Sequence, residues 1–303
     1  IGAYWMAIFY LLVLLLPLAQ LTVRLFRLIR LPHDRLQVGS GVVTLLAVIL
    51  LMAYGTHQAY SPVIRSYDIH VAKEVPSFPS LKIAMASDTH FGLLSGKDHA
   101  LRLVKEINAL KPDMVLLPGD ILDDDIRPYL DQNIGDILAR LEAPLGVYAS
   151  LGNHDRHDGP VEELIQVLER SNIRVLYDEA IVVGDHLTVV GRRDRSDRDR
   201  VPLASLLEGT DATMPVILLD HQPRDLDVAE RLGVDLIVSG HTHRGQVFPA
   251  NLITNMVYEN DWGYLRKGTM HSIVTSGYGF WGPPIRIGTR SEIVEIRVTF
   301  GQP

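Results

Sequence analysis

Cysteine is absent from the 303 residues, which excludes disulfides and any thiolate metal site. An excess of positive charge is also missing: 29 Lys and Arg stand against 36 Asp and Glu, a net charge of −7. The four arginines and single aspartate of residues 1–60 leave −10 for residues 61–303. That balance argues against nucleic acid as a partner, because binding its backbone needs a basic face. There is no internal repeat and no low-complexity tract. Charge disappears altogether from two stretches near the front, the 21 residues Ala3–Val23 and the 18 residues Val38–Gly55.

At about 1.5 Å per residue, a helix of the first length spans roughly 30 Å, the thickness of a bilayer core. Buried core helices or a cleaved signal peptide would also be apolar. A signal peptide, however, wants a basic segment before its apolar run, and none precedes Ala3. Residues 1–60 are read as a transmembrane hairpin with helices at about 3–23 and 38–55. Between them, Arg24, Arg27, Arg30 and Arg35 interleave with Phe26, Ile29 and Leu31, a composition suited to the membrane interface. Arginine-rich short loops stay cytoplasmic, and the opposite flank offers only Arg65 and Lys73. A multi-pass membrane protein with its catalytic domain on the extracytoplasmic face is expected. The chain begins at Ile1, not Met, so upstream helices remain open.

Residues 61–80, with Pro62, Pro76 and Pro79, read as a tether with one strand around Tyr67–Val71. Residues 81–303 then set up a regular rhythm. Apolar runs at Leu81–Ser87, Met114–Leu117, Gly146–Leu151, Pro215–Leu219 and Val234–Ser239 read as buried strands. Helical faces lie between them: Leu103, Val104, Ile107 and Leu110; Ile134, Ile137, Leu138 and Leu141; Val161, Leu164, Ile165 and Leu168. Val175–Gly191 reads as a hairpin turning at Gly184-Asp185, and Ile293–Phe300 closes a sheet. Strands alternating with helices indicate α/β layering, in which ligands collect beyond the carboxyl ends of the strands.

Five of those strand ends carry chemistry. They present Asp88 and His90, Asp120, Asn153, His221, and the pair His241 and His243. Residues two apart in an extended chain point the same way, so the histidine pair reaches one small volume. Carboxylate, amide oxygen and neutral imidazole are all metal donors, and seven of them exceed the needs of one ion. A carboxylate such as Asp120 can bridge two. Two divalent ions about 3.5–4 Å apart clamp the attacking and leaving oxygens of a phosphoryl displacement and lower the pKa of a shared water. Mixed O/N donors without sulfur suit Mn²⁺, with Fe or Zn²⁺ as alternatives.

The blocks Asp88-Thr89-His90, Gly119-Asp120, Gly152-Asn153-His154-Asp155, His221 and Gly240-His241-Thr242-His243 resemble, in order, the signature of the calcineurin-like metallophosphoesterases. The resemblance implies a four-layer αββα sandwich over roughly residues 80–300. It implies one metal on Asp88, His90, Asp120 and His243 and a second on Asp120, Asn153, His221 and His241. It also implies that a metal-bridging hydroxide attacks phosphorus and that His154 protonates the leaving oxygen or steadies the transition state. His221-Gln222-Pro223 and Gly279–Arg286 are similar to a bacterial membrane-associated branch that includes UDP-2,3-diacylglucosamine pyrophosphatases. That branch usually continues its last histidine pair with two glycines before Gln, whereas this chain reads Arg244-Gly245-Gln246. Arg244 either pairs with a substrate phosphate or narrows the pocket, and Arg286 is the second candidate for substrate binding.

The expected function is a membrane-anchored phosphodiesterase or pyrophosphatase acting on a membrane lipid or nucleotide-sugar lipid. The alternatives are a phosphoprotein phosphatase, whose third block usually ends Asn-His-Glu, and a metal-free scaffold, which would have lost ligands. Among neighbouring residues, Asp155 either orients an imidazole or caps a helix. Asp123, Asp124 and Asp125 read as a solvated turn, Arg192–Arg200 as a solvated loop, and His99, His157 and His186 as exposed. Phe280 and Trp281 either wall the pocket or pack the core edge.

Overall fold

The computed structural model describes residues 2–27, 33–75, 78–155, 160–184 and 186–301. Ile1, residues 28–32 at the centre of the arginine-rich loop, His157 and Asp185 of the expected hairpin turn lie outside the described residues. Two long helices come first, α1 (Gly2–Arg27) and α2 (His33–Tyr60). Both run beyond the uncharged stretches that predict them, α2 by five residues at each end. At about 1.5 Å per residue, the 26 residues of α1 reach roughly 39 Å, more than a bilayer core of about 30 Å. One end of the helix pair packs on the rest of the chain. Ala7 and Tyr10 of α1 and Met52 of α2 join Val247, Ile285 and Ile287 in a small apolar cluster. The Arg286 N–H donates to the Gly55 carbonyl at 2.9 Å, and the Ser291 hydroxyl donates to the Ala59 carbonyl at 2.8 Å.

The remaining chain runs β1 (Val63–Val71), β2 (Ser80–Met85), α3 (Lys97–Leu110), β3 (Met114–Pro118), α4 (Arg127–Asp131), α5 (Ile134–Leu138), β4 (Val147–Ser150), α6 (Val161–Arg170) and β5 (Ile173–Val175). It continues with β6 (Glu179–Val183), β7 (Leu187–Gly191), α7 (Leu203–Leu206), β8 (Val216–Leu219), α8 (Leu226–Arg231), β9 (Leu236–Ser239), α9 (Ala250–Val257), β10 (Gly263–Lys267), β11 (Met270–Val274) and β12 (Glu292–Phe300). The described residues form two six-stranded sheets, ordered β1-β12-β2-β3-β4-β5 and β10-β11-β9-β8-β7-β6. In each, four consecutive strands run parallel: β2 to β5 in one, and β11, β9, β8 and β7 in the other.

Three apolar clusters define four layers. Ile83, Met85 and Leu116 of the first sheet meet Leu187, Ile217 and Val238 of the second in a central core. The other face of the first sheet packs on α3, α5 and α6 through Leu103, Ile137 and Leu164. The other face of the second sheet packs on α7 and α8 through Leu203 and Leu226. This is the αββα sandwich, and its inner strands are apolar on both faces because both are covered. Fully burying one such side chain is worth about 1.5–3 kcal/mol, so the sandwich core fixes the strand ends to which the site is attached.

Several local readings need revision. The stretch read as a tether contains all nine residues of β1, paired in parallel along the whole of β12. The last turn of α2 therefore runs almost directly into a sheet. The expected hairpin starts later, at Glu179, because Ile173–Val175 pairs with β4 in the other sheet. His99 is buried, with Tyr278 at 4.3 Å between ring centroids, and His186 is half-buried against Phe78. Burial pulls the His99 imidazole down to about 4. The expected solvated loop is also partly internal. Arg192 and Arg200 both pair with buried Asp220, and buried Asp194 accepts from Gln222 at 2.9 Å. A charged loop here follows an inward carboxylate, which burial would penalise without partners.

Candidate metal centre

The parallel strands β2, β3, β4, β8 and β9 end on one side of the sandwich, and the seven candidate ligands sit in the loops that leave them. Five of the seven, Asp88, His90, Asp120, His241 and His243, have left-handed backbone, with φ between 43° and 70°. For non-glycine residues this conformation costs of order 1–3 kcal/mol each and is retained where surrounding structure imposes it. Here it folds successive side chains back over the strand ends. The glycines beside them are required by contact. A Cβ on Gly240 would lie 2.0 Å from Asp88 Oδ2, and one on Gly152 would lie 2.1 Å from Asp120 Oδ1.

The side chains form two adjoining groups. Asp88, His90 and His243 make the first, and Asp120, His221 and His241 make the second. In the first, His90 Nε2 faces His243 Nε2 at 3.1 Å, and His243 Nε2 lies 3.4 Å from Asp88 Oδ1. In the second, His221 Nε2 lies 3.0 Å from Asp120 Oδ2, while His241 Nδ1 meets Asn153 Oδ1 at 2.9 Å. Asp120 stands between the groups, its Oδ2 also 3.8 Å from His90 Nε2.

The set fits divalent metal. Asp88 Oδ2 and His221 Nε2 are buried polar atoms with no hydrogen-bond partner among the described residues. Such orphans are costly unless something else satisfies them. His221 Nδ1 donates to the Pro118 carbonyl at 2.9 Å, which leaves Nε2 as the free lone pair. Asp120 Oδ2 is close to that Nε2 but is not aligned with it as a hydrogen bond, as expected of two donors aimed at a third point. Electrostatics agree. Burial and, after it, the charge of Asp120 push Asp155 up to about 7. Burial, the largest cause, pulls His241 down to about 4, so its imidazole is neutral and competent as a ligand.

A cleft of about 310 Å³ opens over the pair, lined among others by Asp120, Asn153, His154, His241, Gln246 and Trp281. The His154 ring lies at its edge, with Nδ1 2.8 Å from Asp124 Oδ1. The acidic turn is thus engaged: Asp124 holds His154, and Asp123 Oδ1 lies 3.5 Å from His90 Nδ1. Among the described residues, Asp155 neither hydrogen-bonds an imidazole nor caps a helix. Its carboxylate accepts from the backbone N–H groups of Ile121, Leu122 and Gly152, each at 2.8 Å, and so ties the Asp120 loop to the Asn153 loop. Sequence gives no sign of this, because the partners are backbone amides.

The two arginines are not placed as substrate groups. Arg286 is completely buried, and its Nη2 donates to the Ser276 and Gly279 carbonyls at 2.6 Å each. It fixes the loop behind His243, with Nη2 3.2 Å from that ring's Nδ1. Arg244 lies flat over Trp262, 3.7 Å from the ring centre, and is absent from the cleft lining. Of the aromatic pair, Trp281 walls the cleft, whereas Phe280 is buried against Tyr60.

Comparison with known proteins agrees with this geometry. Residues 81–245 match the family model of the calcineurin-like phosphoesterases. An uncharacterized metallophosphoesterase of Helicobacter pylori is 33% identical over 237 residues, covering 75% of this chain and 63% of the relative. One from Aquifex aeolicus is 33% identical over 261 residues, covering 82% of this chain and 97% of the relative. A transmembrane protein with metallophosphoesterase domain from Danio rerio is 31% identical over 277 residues, covering 85% of this chain and 63% of the relative. The chain thus spans about 63% of the length of the Helicobacter and zebrafish proteins. The zebrafish match takes in more of the chain than residues 61–303 amount to, so it reaches into the helical hairpin.

Proposed function

The chain belongs to the calcineurin-like metallophosphoesterases, and from that premise we propose that it is a membrane-anchored hydrolase of a phosphodiester or pyrophosphate. The observation that carries the proposal is the gathering of six donors from the other four strand ends around Asp120, with orphaned donor atoms on both sides of it. Asp88, His90, Asp120 and His243 would hold one ion, and Asp120, Asn153, His221 and His241 the other. When bound, the ions supply Lewis acidity toward the phosphoryl oxygens and lower the pKa of a water. Mn²⁺ suits the carboxylate, amide and imidazole set.

The protein's own groups do the rest. Asp155 locks two donor loops together through three amides, so the donors need little reorganisation. Trp281 and Gln246 narrow the approach to phosphorus. His154, whose ring lines the cleft, would give a proton to the departing oxygen as the P–O bond breaks and the water oxygen bonds to phosphorus. The purified full chain should bind about two transition ions and, with Mn²⁺, hydrolyse at least one member of a panel of nucleotide, nucleotide-sugar and lipid phosphoesters. Chelation should abolish that turnover. A metal-loaded protein inert toward the whole panel would overturn the reading. Hydrolysis confined to lipid or nucleotide-sugar lipid would place it with the diacylglucosamine pyrophosphatase-like branch.

The hairpin supports membrane anchoring. Each helix contains a window long and apolar enough to cross a bilayer, and the zebrafish relative, whose match reaches into the hairpin, is a transmembrane protein. The start of α1 and the end of α2 both pack on the catalytic domain, so that domain sits at the hairpin's open end. Arg24, Arg27 and Arg35 sit at its closed end, which the positive-inside rule puts in the cytoplasm. The domain then lies on the extracytoplasmic face. Protease added outside sealed cells should digest residues 61–303. Protection until lysis would reverse the orientation.

A further inference from the structure

Helix α9 carries its polarity inside out. Asn251 and Thr254, three residues apart on one helical face, are half-buried against the protein, and Asn255 stands exposed at the edge of that face. The Thr254 hydroxyl donates to Asp261 Oδ2 at 2.8 Å, the Asn255 amide approaches Asp261 Oδ1 at 3.4 Å, and Asn251 Oδ1 is buried. Leu252, Ile253, Met256 and Val257 make the opposite face, and all four are exposed, Met256 by 86%. No residue of the helix is buried as a whole, and none is charged. A helix on a water-facing surface normally shows the reverse arrangement. Exposed Phe248 and Trp281 extend the apolar face to the lip of the cleft.

The position of this face identifies what covers it. The helix begins three residues after Val247, which packs with Ala7 and Tyr10 of α1. The Tyr10 hydroxyl reaches the Val247 and Phe248 carbonyls at 3.5 Å each. Met6 of α1 lies beside Gly282, next to Trp281. The apolar side of α9 is therefore continuous with the outer end of a helix long and apolar enough to cross a bilayer. Helix α9 also leaves directly from the loop that holds His243, so whatever it rests on faces the cleft.

We propose that α9, with Phe248 and Trp281, lies in the surface of the leaflet into which the open end of the hairpin is planted, and that the cleft takes its phosphoester from a lipid of that leaflet. An uncharged helix with one apolar face enters the headgroup and acyl boundary by burying apolar area, and flanking aromatics favour the same depth. This deepens the function proposed above and rests on its membrane anchoring. It assigns the substrate's carrier to the bilayer itself and gives the cleft a direct route to it.

The lack of cysteine makes a direct test simple. Met256→Cys, labelled with an environment-sensitive fluorophore, is reconstituted as the full chain in phosphatidylcholine vesicles with or without brominated acyl chains. Val182→Cys, an exposed site on β6, is the control. Emission at 256 should be blue-shifted and quenched by brominated lipid about twofold or more, with little change at 182, since interfacial helices sit roughly 5–10 Å deep. Equal, water-like emission at both sites would overturn the proposal. So would a blue shift at 256 without quenching by brominated lipid, which would show a second copy covering the face. Both readouts are independent of turnover, so they stand or fall apart from the enzymatic reading. Where turnover is present, Ile253→Asp with Met256→Asp should lower the ratio of vesicle-borne to water-soluble phosphoester hydrolysis about tenfold. An unchanged ratio would remove the proposed route from the leaflet to the cleft.

Discussion

Asp120→Asn is expected to lose at least one of two bound ions and to cut hydrolysis by roughly 10³-fold or more, since metal-ion stabilisation of developing charge is worth several kcal/mol and each 1.36 kcal/mol is a factor of ten. The substitution is chosen because it separates two jobs of one side chain. Asp120 Oδ1 accepts from the His154 backbone N–H at 2.8 Å, and an amide oxygen can keep that bond. Asp120 Oδ2 faces both His90 and His221, and an amide there brings neither the negative charge nor a second pair of donor sites. The loop should therefore stay in place while the shared donor is lost. Asp88→Asn, by contrast, removes a charged donor from the first group only. Its Oδ1 also accepts from the His241 backbone N–H at 2.8 Å, a bond an amide oxygen can keep, so this variant should spare the ion nearest His221. Metal analysis of the two variants beside the parent, with circular dichroism to confirm folding, decides the matter. If Asp120→Asn retains two ions and turns over within about threefold of the parent, the shared-carboxylate arrangement is wrong.

What can be read from the sequence divides along a physical line. The strand ends are legible because each donor follows an apolar run that only a doubly covered strand would have, and the sandwich core confirms those runs as β2, β3, β4, β8 and β9. The hairpin is legible because two uncharged stretches of bilayer length are too apolar to stand in water on every side. Interactions whose second partner is a backbone group are invisible. Asp155 has the sequence position of a companion to the imidazoles, yet it serves three amides from two loops. Arg286 has the charge of a substrate anchor, and its guanidinium is taken up by backbone carbonyls. A charge in sequence says that a partner is needed without saying whether the partner is solvent, substrate or main chain. Nor does periodicity reveal α9. Its apolar residues are spaced as in any amphipathic helix, and only the folded chain shows that they face outward. The strand β1 is easily underestimated because its inward residues Val63, Tyr67, Ile69 and Val71 alternate with exposed Ile64, Ser66, Asp68 and His70, which leaves one face open, as befits the edge strand it is.

His154→Ala should leave both ions bound and still lose roughly 10²–10⁴-fold in rate, the usual contribution of a positioned acid or base. The residue follows candidate ligand Asn153 in sequence, but its ring belongs to neither donor group. Its Nδ1 lies 2.8 Å from Asp124 Oδ1, and a carboxylate can only accept, so Nδ1 carries a proton and the ring is held by one edge. The other nitrogen, Nε2, remains for the cleft that His154 lines. A proton there would be delivered to the leaving oxygen, and the benefit depends on how badly that oxygen needs it. The loss should be large for an ester with an alkoxide leaving group and small for a nitrophenolate, which leaves without help. Asp124→Asn should show the same leaving-group dependence with a smaller loss, because the ring stays present but less well held. Steady-state rates for the two ester types, measured on both variants at saturating Mn²⁺, separate this role from a structural one. A merely destabilised loop would slow both esters alike, and turnover of the alkoxide ester at the parental rate by His154→Ala would remove His154 from the mechanism.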